Sequence, residues 1–261
     1  MSDYDTLAFE QSDAVARITL NRPGAANGFN EPMMRELADV AARCEADPTV
    51  KAVTLTGAGK FFSAGGDLKG MADAGDARGV YVRRLANHLH RAVSTFARMD
   101  APLIVAVNGM AAGGGFSLAI AGDLVIAGKS AAFNMAYTRA GLSPDGSASH
   151  QLPRLVGLRR AQELMLTNRT LSAAEALDWG LITAVVDDDQ LHTEVEALAA
   201  QFARGAKGAN RNIKQLLLAS PGNDLETQME MEARLVSACA DSIDGREGID
   251  AFINKRSPKF S

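Results

Sequence analysis

Apolar residues recur along the chain with two spacings, one typical of strands and one of helices. Short apolar and β-branched runs predict four strands, at Ala14–Leu20, Ala52–Thr56, Leu103–Val107 and Leu124–Ala127. Steps of three and four residues predict a helix over Glu31–Ala46 and another along Val82, Leu85, Leu89, Val93 and Phe96. Because strands alternate with helices, the pattern predicts an α/β architecture.

The pattern changes near residue 200. From about Gln201 onward it is helical and contains no convincing strand. Leu225, Met229, Leu235 and Val236 are expected to form the buried face of this region. We therefore divide the chain into an α/β core, residues 1–200, and a helical region, residues 201–261, suited either to assembly or to packing on its own core.

Composition narrows the class of protein. The 261 residues are 47% hydrophobic and 22% charged with a net charge of −4, which suits a packed core and argues against nucleic-acid binding. Cys44 and Cys239 lie far apart and predict reduced thiols, and no signal peptide is evident, so a cytoplasmic location is expected. Leu103–Gly122 is uncharged, but its glycines favour a buried strand, a turn and a buried helix over a membrane span.

Two glycine clusters are the main candidates for chemistry. Phe62–Leu68 reads FSAGGDL, and Asn108–Gly115 reads NGMAAGGG at the entrance to an apolar helix. Glycines let a ligand approach unpaired backbone N–H groups, which suits a developing oxyanion, although either cluster alone could simply permit tight turns. P-loop, GxGxxG, GxSxG and zinc-ligand patterns are missing, so no metal is expected.

Several ordered motifs together resemble the crotonase (enoyl-CoA hydratase/isomerase) superfamily. They are the two glycine clusters, Val15–Pro23, Leu171–Leu181 and the tail Phe252–Arg256. The resemblance implies a spiral of ββα units with a helical C-terminal region, assembled as a homotrimer or a dimer of trimers. It implies an acyl-CoA thioester substrate, no cofactor beyond the CoA moiety, and an oxyanion hole made by the N–H groups of Gly66 and Gly114.

The acid–base residues decide the reaction. Hydratases of this family carry two glutamates at positions that here read Ser117 and Tyr137. Asp145 instead lies in a Gly-Leu-x-Pro-Asp-Gly segment that resembles the enoyl-CoA isomerases, in which the acid moves a proton along the acyl chain. We therefore predict an isomerase with Asp145 as the base, while a simple turn residue after Pro144 is the alternative reading of Asp145.

Three further functions stay open. The segment Met165–Leu171 resembles 4-chlorobenzoyl-CoA dehalogenases, in which the aspartate attacks the ring and a histidine matching His90 activates water. That branch uses aromatic pocket residues where this chain has Gly66, Leu89 and Tyr137. Hydratase activity and a non-catalytic binding role on the same scaffold are the remaining alternatives.

The resemblance also suggests which residues contact the substrate. The CoA moiety is expected at Ala25, Ala26, Ala64, Asp67 and Leu68, with phosphate contacts from Lys255 and Lys259. The acyl group is expected to be selected by Met71, Leu89, Met135 and Tyr137.

Overall fold

The structure is a computed structural model that describes residues 4–261. Its strands are β1 (Leu7–Ser12), β2 (Val15–Leu20), β3 (Ala52–Gly57), β4 (Phe61–Ser63), β5 (Leu103–Val107), β6 (Met110–Ala112), β7 (Leu124–Gly128), β8 (Ala132–Asn134), β9 (Thr170–Ser172) and β10 (Ala184–Val186).

Its helices are α1 (Glu31–Ala46), α2 (Leu68–Asp73), α3 (Arg78–Arg98), α4 (Gly114–Ala119), α5 (Ala148–Val156), α6 (Leu158–Thr167), α7 (Ala173–Asp178), α8 (Leu191–Ala203), α9 (Lys207–Ala219), α10 (Leu225–Asp241) and α11 (Ile243–Ile253).

The strands form two sheets that the chain visits in turn. One sheet has the order β1-β2-β3-β5-β7-β10 and the other the order β4-β6-β8-β9. From β3 to β8 each strand of the first sheet is followed by one of the second, and neighbours within each sheet pair in parallel here. Each ββα unit thus adds one strand to each of the two sheets, and successive units form a spiral. The predicted α/β fold of ββα units with a helical C-terminal region is confirmed.

The core lies between the sheets and the helices α1 and α3. Asn30 begins α1, because its side-chain oxygen accepts the Met33 N–H at 3.0 Å. The apolar face of α1 is buried against α3, whose own stripe of Leu85, Leu89 and Phe96 points inward. Residues of these two helices line the same cavity as the glycine clusters.

The uncharged stretch Leu103–Gly122 folds as β5, β6 and α4, as the glycine content predicted. Within residues 4–261 no helix is long and apolar enough to cross a bilayer. Both cysteines are free thiols, and Cys44 is buried while Cys239 is half-buried. Burial raises the pKa of the Cys44 thiol to about 12.

The C-terminal helices depart from the expected burial. The boundary at residue 200 falls inside α8, which packs on β3, β5 and β7. The apolar residues of α10 are not a buried face: Leu225 is 67% exposed and Val236 64%, and Met229 is also exposed. Leu235 is half-buried. The reason is that α10 packs mainly on α9 and α11, so no further layer formed by residues 4–261 covers it.

Candidate active site

The first glycine cluster is held open by hydrogen bonds on both sides of Gly66. The Phe29 N–H donates to the Gly65 carbonyl at 2.7 Å, and the Asp67 N–H donates to the Phe29 carbonyl at 3.0 Å. The Gly65 N–H donates to Ser63 Oγ at 3.1 Å. The N–H groups of Gly65 and Asp67 therefore donate hydrogen bonds within the protein, whereas the N–H group of Gly66 between them does not.

The second cluster enters α4 through a residue that only glycine adopts readily. Gly113 has a φ of 52° and a ψ of −124°, and its N–H donates to the Asn134 carbonyl at 2.9 Å. Gly114 is the first residue of α4, where N–H groups have no carbonyl four residues earlier to bind. Its N–H is thus left available by the geometry of a helix start.

The two clusters touch at Gly65. A Cβ on Gly65 would lie 2.5 Å from the Ala112 carbonyl oxygen and 2.8 Å from the Gly114 nitrogen. Within residues 4–261 neither the Gly66 N–H nor the Gly114 N–H has a hydrogen-bond acceptor. Two unpaired donors from separate loops therefore border one space.

That space is a cavity of about 250 Å³ with mostly apolar walls. Gly66 and Gly114 line it on one side, and Asp145 lines it on another. Asp145 is the only acidic residue among the described residues that line it, and no basic residue or histidine joins it. Such a site can polarise one oxygen atom and move one proton on an apolar ligand.

Asp145 is bound by a buried hydroxyl chain. The Tyr137 phenol donates to Asp145 Oδ1 at 2.6 Å, and Ser117 Oγ lies 2.9 Å from the phenol oxygen. Burial, followed by the nearby Asp145 charge, raises the pKa of Tyr137 far above its ordinary value. The two positions that carry glutamates in hydratases thus carry hydroxyls that contact each other and Asp145.

His90 lies against the Asp145 loop but outside the cavity. Its Nε2 atom accepts the Gly146 N–H at 3.2 Å. An acceptor Nε2 carries no proton, so in this arrangement any proton on the neutral ring is on Nδ1. His90 is exposed and does not line the cavity.

Comparison with known proteins places the chain in a family. A profile described as enoyl-CoA hydratase/isomerase matches residues 10–261. The chain belongs to the enoyl-CoA hydratase/isomerase family. It is 41% identical to 1,2-epoxyphenylacetyl-CoA isomerase of Escherichia coli over 95% of both chains.

Other relatives carry other activities in their names. A 4-chlorobenzoyl coenzyme A dehalogenase-2 of Arthrobacter is 35% identical over 89% of this chain and 84% of its own length. The crystal structure of an enoyl-CoA hydratase from Bacillus anthracis superimposes with a TM-score of 0.92 at 31% identity, covering 98% of this chain and 99% of that one. The chain is thus an acyl-CoA-processing member of the enoyl-CoA hydratase/isomerase family.

Of the residues expected at the CoA moiety, one group lies beside the first glycine cluster and the other lies on the C-terminal tail. Ala26 accepts the Ala64 N–H at 2.9 Å, so the Ala25–Ala26 turn lies beside the first glycine cluster. Asp67 begins α2, where its side chain accepts the Gly70 N–H at 3.2 Å and pairs with Arg22. Ala64 and Leu68 line the cavity. Lys255 and Lys259 are exposed on the C-terminal tail and do not line it.

The residues expected to select the acyl group lie partly at the cavity. Met71, Leu89 and Tyr137 line the cavity, and Met71 packs against Gly66. Met135 does not: it is fully buried in the core, and Ala136, with a φ of 51°, lines the cavity instead. The left-handed turn at Ala136 is where the chain leaves β8, so the side chain before it stays among core residues. The sequence analysis did not identify four of the residues that line the cavity: Phe29, Met34, Leu85 and Leu142. Leu85 could have been identified, because it lies one helical turn before Leu89 and therefore on the same face of α3.

Proposed function

We propose that this family member is an acyl-CoA isomerase that shifts a double bond through an enolate. One observation carries the proposal: two unpaired backbone N–H groups and a single carboxylate line the same apolar cavity. Isomerisation needs one group that removes and returns a proton, whereas water addition in this family uses two glutamates. The hydroxyls of Ser117 and Tyr137 at those positions favour isomerase over hydratase.

In the proposed reaction the thioester oxygen sits between Gly66 and Gly114. Asp145 removes a proton from the carbon next to the thioester carbonyl, the C–H electron pair forms a C=C bond to the carbonyl carbon, and the carbonyl π pair moves onto the oxygen. The two N–H groups stabilise the resulting enolate, a form of help whose loss costs roughly 100- to 1000-fold in rate in other enzymes. Asp145 then returns the proton to a carbon further along the chain, and the double bond moves.

A dehalogenase-like hydrolysis is the second candidate. It is supported by the relative of that name and by the contact of His90 with the Asp145 loop. In that reaction Asp145 would attack a ring carbon and His90 would activate water. The engagement of His90 Nε2 by the Gly146 N–H, and the position of His90 outside the cavity, favour isomerase.

We further propose that the CoA moiety lies along Ala25, Ala26, Ala64, Asp67 and Leu68, with no other cofactor. Lys255 and Lys259 would reach its phosphates from the tail, in the same or a neighbouring subunit. A homotrimer or a dimer of trimers is supported by the apolar side chains that residues 201–261 leave exposed, such as Ile243 at 79% and Phe252 at 85%. A cytoplasmic location stays a prediction from the sequence.

A panel of thioesters tests the function. We expect interconversion of 3-hexenoyl- and 2-hexenoyl-CoA, and deuterium uptake by phenylacetyl-CoA in heavy water, both followed by mass spectrometry. Asp145→Asn removes the base and should lower kcat by about 100- to 10,000-fold.

Other products would favour the alternatives. Hydration of crotonyl-CoA without isomerisation would favour the hydratase, chloride release from 4-chlorobenzoyl-CoA the dehalogenase, and binding without any turnover or exchange a non-catalytic role. Full isomerase activity in Asp145→Asn would remove Asp145 as the base.

A further inference from the structure

Ser117, Tyr137 and Asp145 form a directed chain of hydrogen bonds at the cavity. The phenol has one proton, and it is donated to Asp145 Oδ1 at 2.6 Å. The serine then donates to the phenol oxygen at 2.9 Å, a shorter contact than the 3.4 Å from its hydroxyl to the Gly113 carbonyl. The chain therefore runs from Ser117 through Tyr137 to the carboxylate.

The phenol is a donor that stays protonated. Tyr137 is largely buried, and both this burial and the Asp145 charge hold its pKa far above its ordinary value. The raised pKa favours the protonated phenol, the form that donates to Asp145. Ser117, which is fully buried, limits the directions in which the phenol can turn.

The two oxygens of Asp145 differ in their surroundings. Oδ1 accepts the phenol, whereas Oδ2 has no hydrogen-bond partner among residues 4–261. Two hydrogen bonds also hold the backbone of this loop. The Gly146 N–H donates to His90 Nε2, and the Ala148 N–H donates to the Asp145 carbonyl at 3.2 Å. The carboxylate is thus fixed at one oxygen and open at the other.

We propose that Tyr137 is a positioning residue that holds Asp145 by Oδ1 so that Oδ2 transfers the proton. The inference rests on the proposed isomerase function. Oδ2 gains the proton as the C–H bond breaks and loses it when the new C–H bond forms, while the phenol remains hydrogen-bonded to Oδ1. A proton on Oδ1 would instead force the whole hydroxyl chain to reverse in each turnover.

Tyr137→Phe removes the phenolic hydroxyl and keeps the ring that lines the cavity. We expect kcat for 3-hexenoyl-CoA to fall about 10- to 100-fold, the scale of one hydrogen bond to a charged group. KM should stay within about two-fold, because the hydroxyl faces Asp145 and the apolar lining is unchanged. Tyr4→Phe is the matched control, since Tyr4 also donates to a carboxylate, Asp39 Oδ2 at 2.7 Å, and neither residue lines the cavity.

Ser117→Ala is a second variant that leaves the phenol in place. It should lower kcat by about 3- to 10-fold, because the phenol loses its donor but not its own bond to Asp145. It also keeps the test available if Tyr137→Phe does not fold. Wild-type kcat in Tyr137→Phe, or in Ser117→Ala when the first variant is unfolded, would overturn the inference. An equal loss in Tyr4→Phe would do the same.

Asp145→Asn, measured beside these variants, separates the two proposals. If Asp145→Asn is inactive while Tyr137→Phe keeps its full kcat, the positioning role falls and the isomerase proposal stands. If Asp145→Asn keeps full isomerase activity, Asp145 is not the base and the positioning role falls with it, whereas a wild-type enzyme that isomerises no thioester removes the proposed function itself.

Discussion

The cavity has two walls that differ in their chemistry. The backbone wall consists of Gly66, Gly113 and Gly114, with Gly65 packed behind it, and it presents the unpaired N–H groups of Gly66 and Gly114. The side-chain wall consists of Tyr137 and Asp145, which present a phenol and a carboxylate, and the buried Ser117 contacts Tyr137 from behind it. In the proposed reaction the first acts on the thioester oxygen and the second on the carbon that gains or loses a proton.

This difference explains why the family was easier to predict than the reaction. Every acyl-CoA has a thioester oxygen, so under the proposed mechanism the same backbone wall would suit any acyl-CoA that forms an enolate. The carbon chemistry varies, and a few side chains can change it without altering the backbone. Proteins similar to this chain are named as an isomerase, a hydratase and a dehalogenase, so the named activity differs among them.

The largest effect is expected from breaking the backbone wall. An alanine at Gly65 would place its Cβ 2.5 Å from the Ala112 carbonyl oxygen and 2.8 Å from the Gly114 nitrogen, forcing the two loops apart. Gly65→Ala should therefore lower kcat for deuterium exchange of phenylacetyl-CoA by roughly 100- to 1000-fold, as loss of an oxyanion donor does. The side-chain wall is left untouched.

Gly157→Ala is the control for backbone strain. Gly157 has the same φ of 83° as Gly65, but nothing lies within 4 Å of its Cβ position. It should lose stability, measured by urea unfolding, by about 1–3 kcal/mol while keeping its rate. Exchange within ten-fold of the wild type in Gly65→Ala, or an equal loss in Gly157→Ala, would contradict the role of the backbone wall.

Long elements were predicted closely because their signals are local. The Asn30 cap and the apolar stripe predict Glu31–Ala46 with both ends correct, and the β-branched run predicts Leu103–Val107 with the same accuracy. The second sheet was not predicted, because β4, β6, β8 and β9 have three residues each and show no periodicity. They are strands only because neighbours pair with them.

A smaller effect is expected from crowding the side-chain wall. A Cβ on Gly146 would lie 2.8 Å from Ser117 Cβ and 3.1 Å from Leu89 Cδ2. Gly146→Ala should therefore displace the Asp145 loop and lower kcat for 3-hexenoyl-CoA about 10- to 100-fold, since small displacements of a catalytic group are costly.

Gly75→Ala is its control, because Gly75 also has a positive φ, 52° against 61°, and its Cβ position is open. This variant should keep its rate. Should Gly146→Ala turn over 3-hexenoyl-CoA like the wild type, close packing behind Asp145 would not matter for catalysis.

The side-chain wall was predicted only as separate residues. Asp145 and Tyr137 were each singled out, but they are eight residues apart, and Ser117 lies on another element. Their contact depends on how β8 and α4 are placed by the two sheets, which no local pattern encodes. The buried Met135 failed for a related reason, since a left-handed turn at Ala136 decides which side chain faces the cavity.

The smallest effect concerns stability and isolates the phenol from catalysis. Because the folded pKa of Tyr137 is raised, the unfolded chain loses this proton near pH 10.0 while the folded chain keeps it. Stability therefore falls as pH rises above that point, by up to about 1.4 kcal/mol for each further pH unit. Tyr137→Phe has no phenolic proton to lose at this position. Between pH 9 and 11, roughly one unit either side of the unfolded tyrosine pKa, its free energy of unfolding should therefore fall about 1.4 kcal/mol less than that of the wild type. Urea unfolding followed by circular dichroism at both pH values measures the difference, and below pH 9 the gap between the two proteins should be constant. An identical fall in both proteins would mean that the phenol ionises freely in the fold, and a phenol that does so could not be the fixed donor to Asp145.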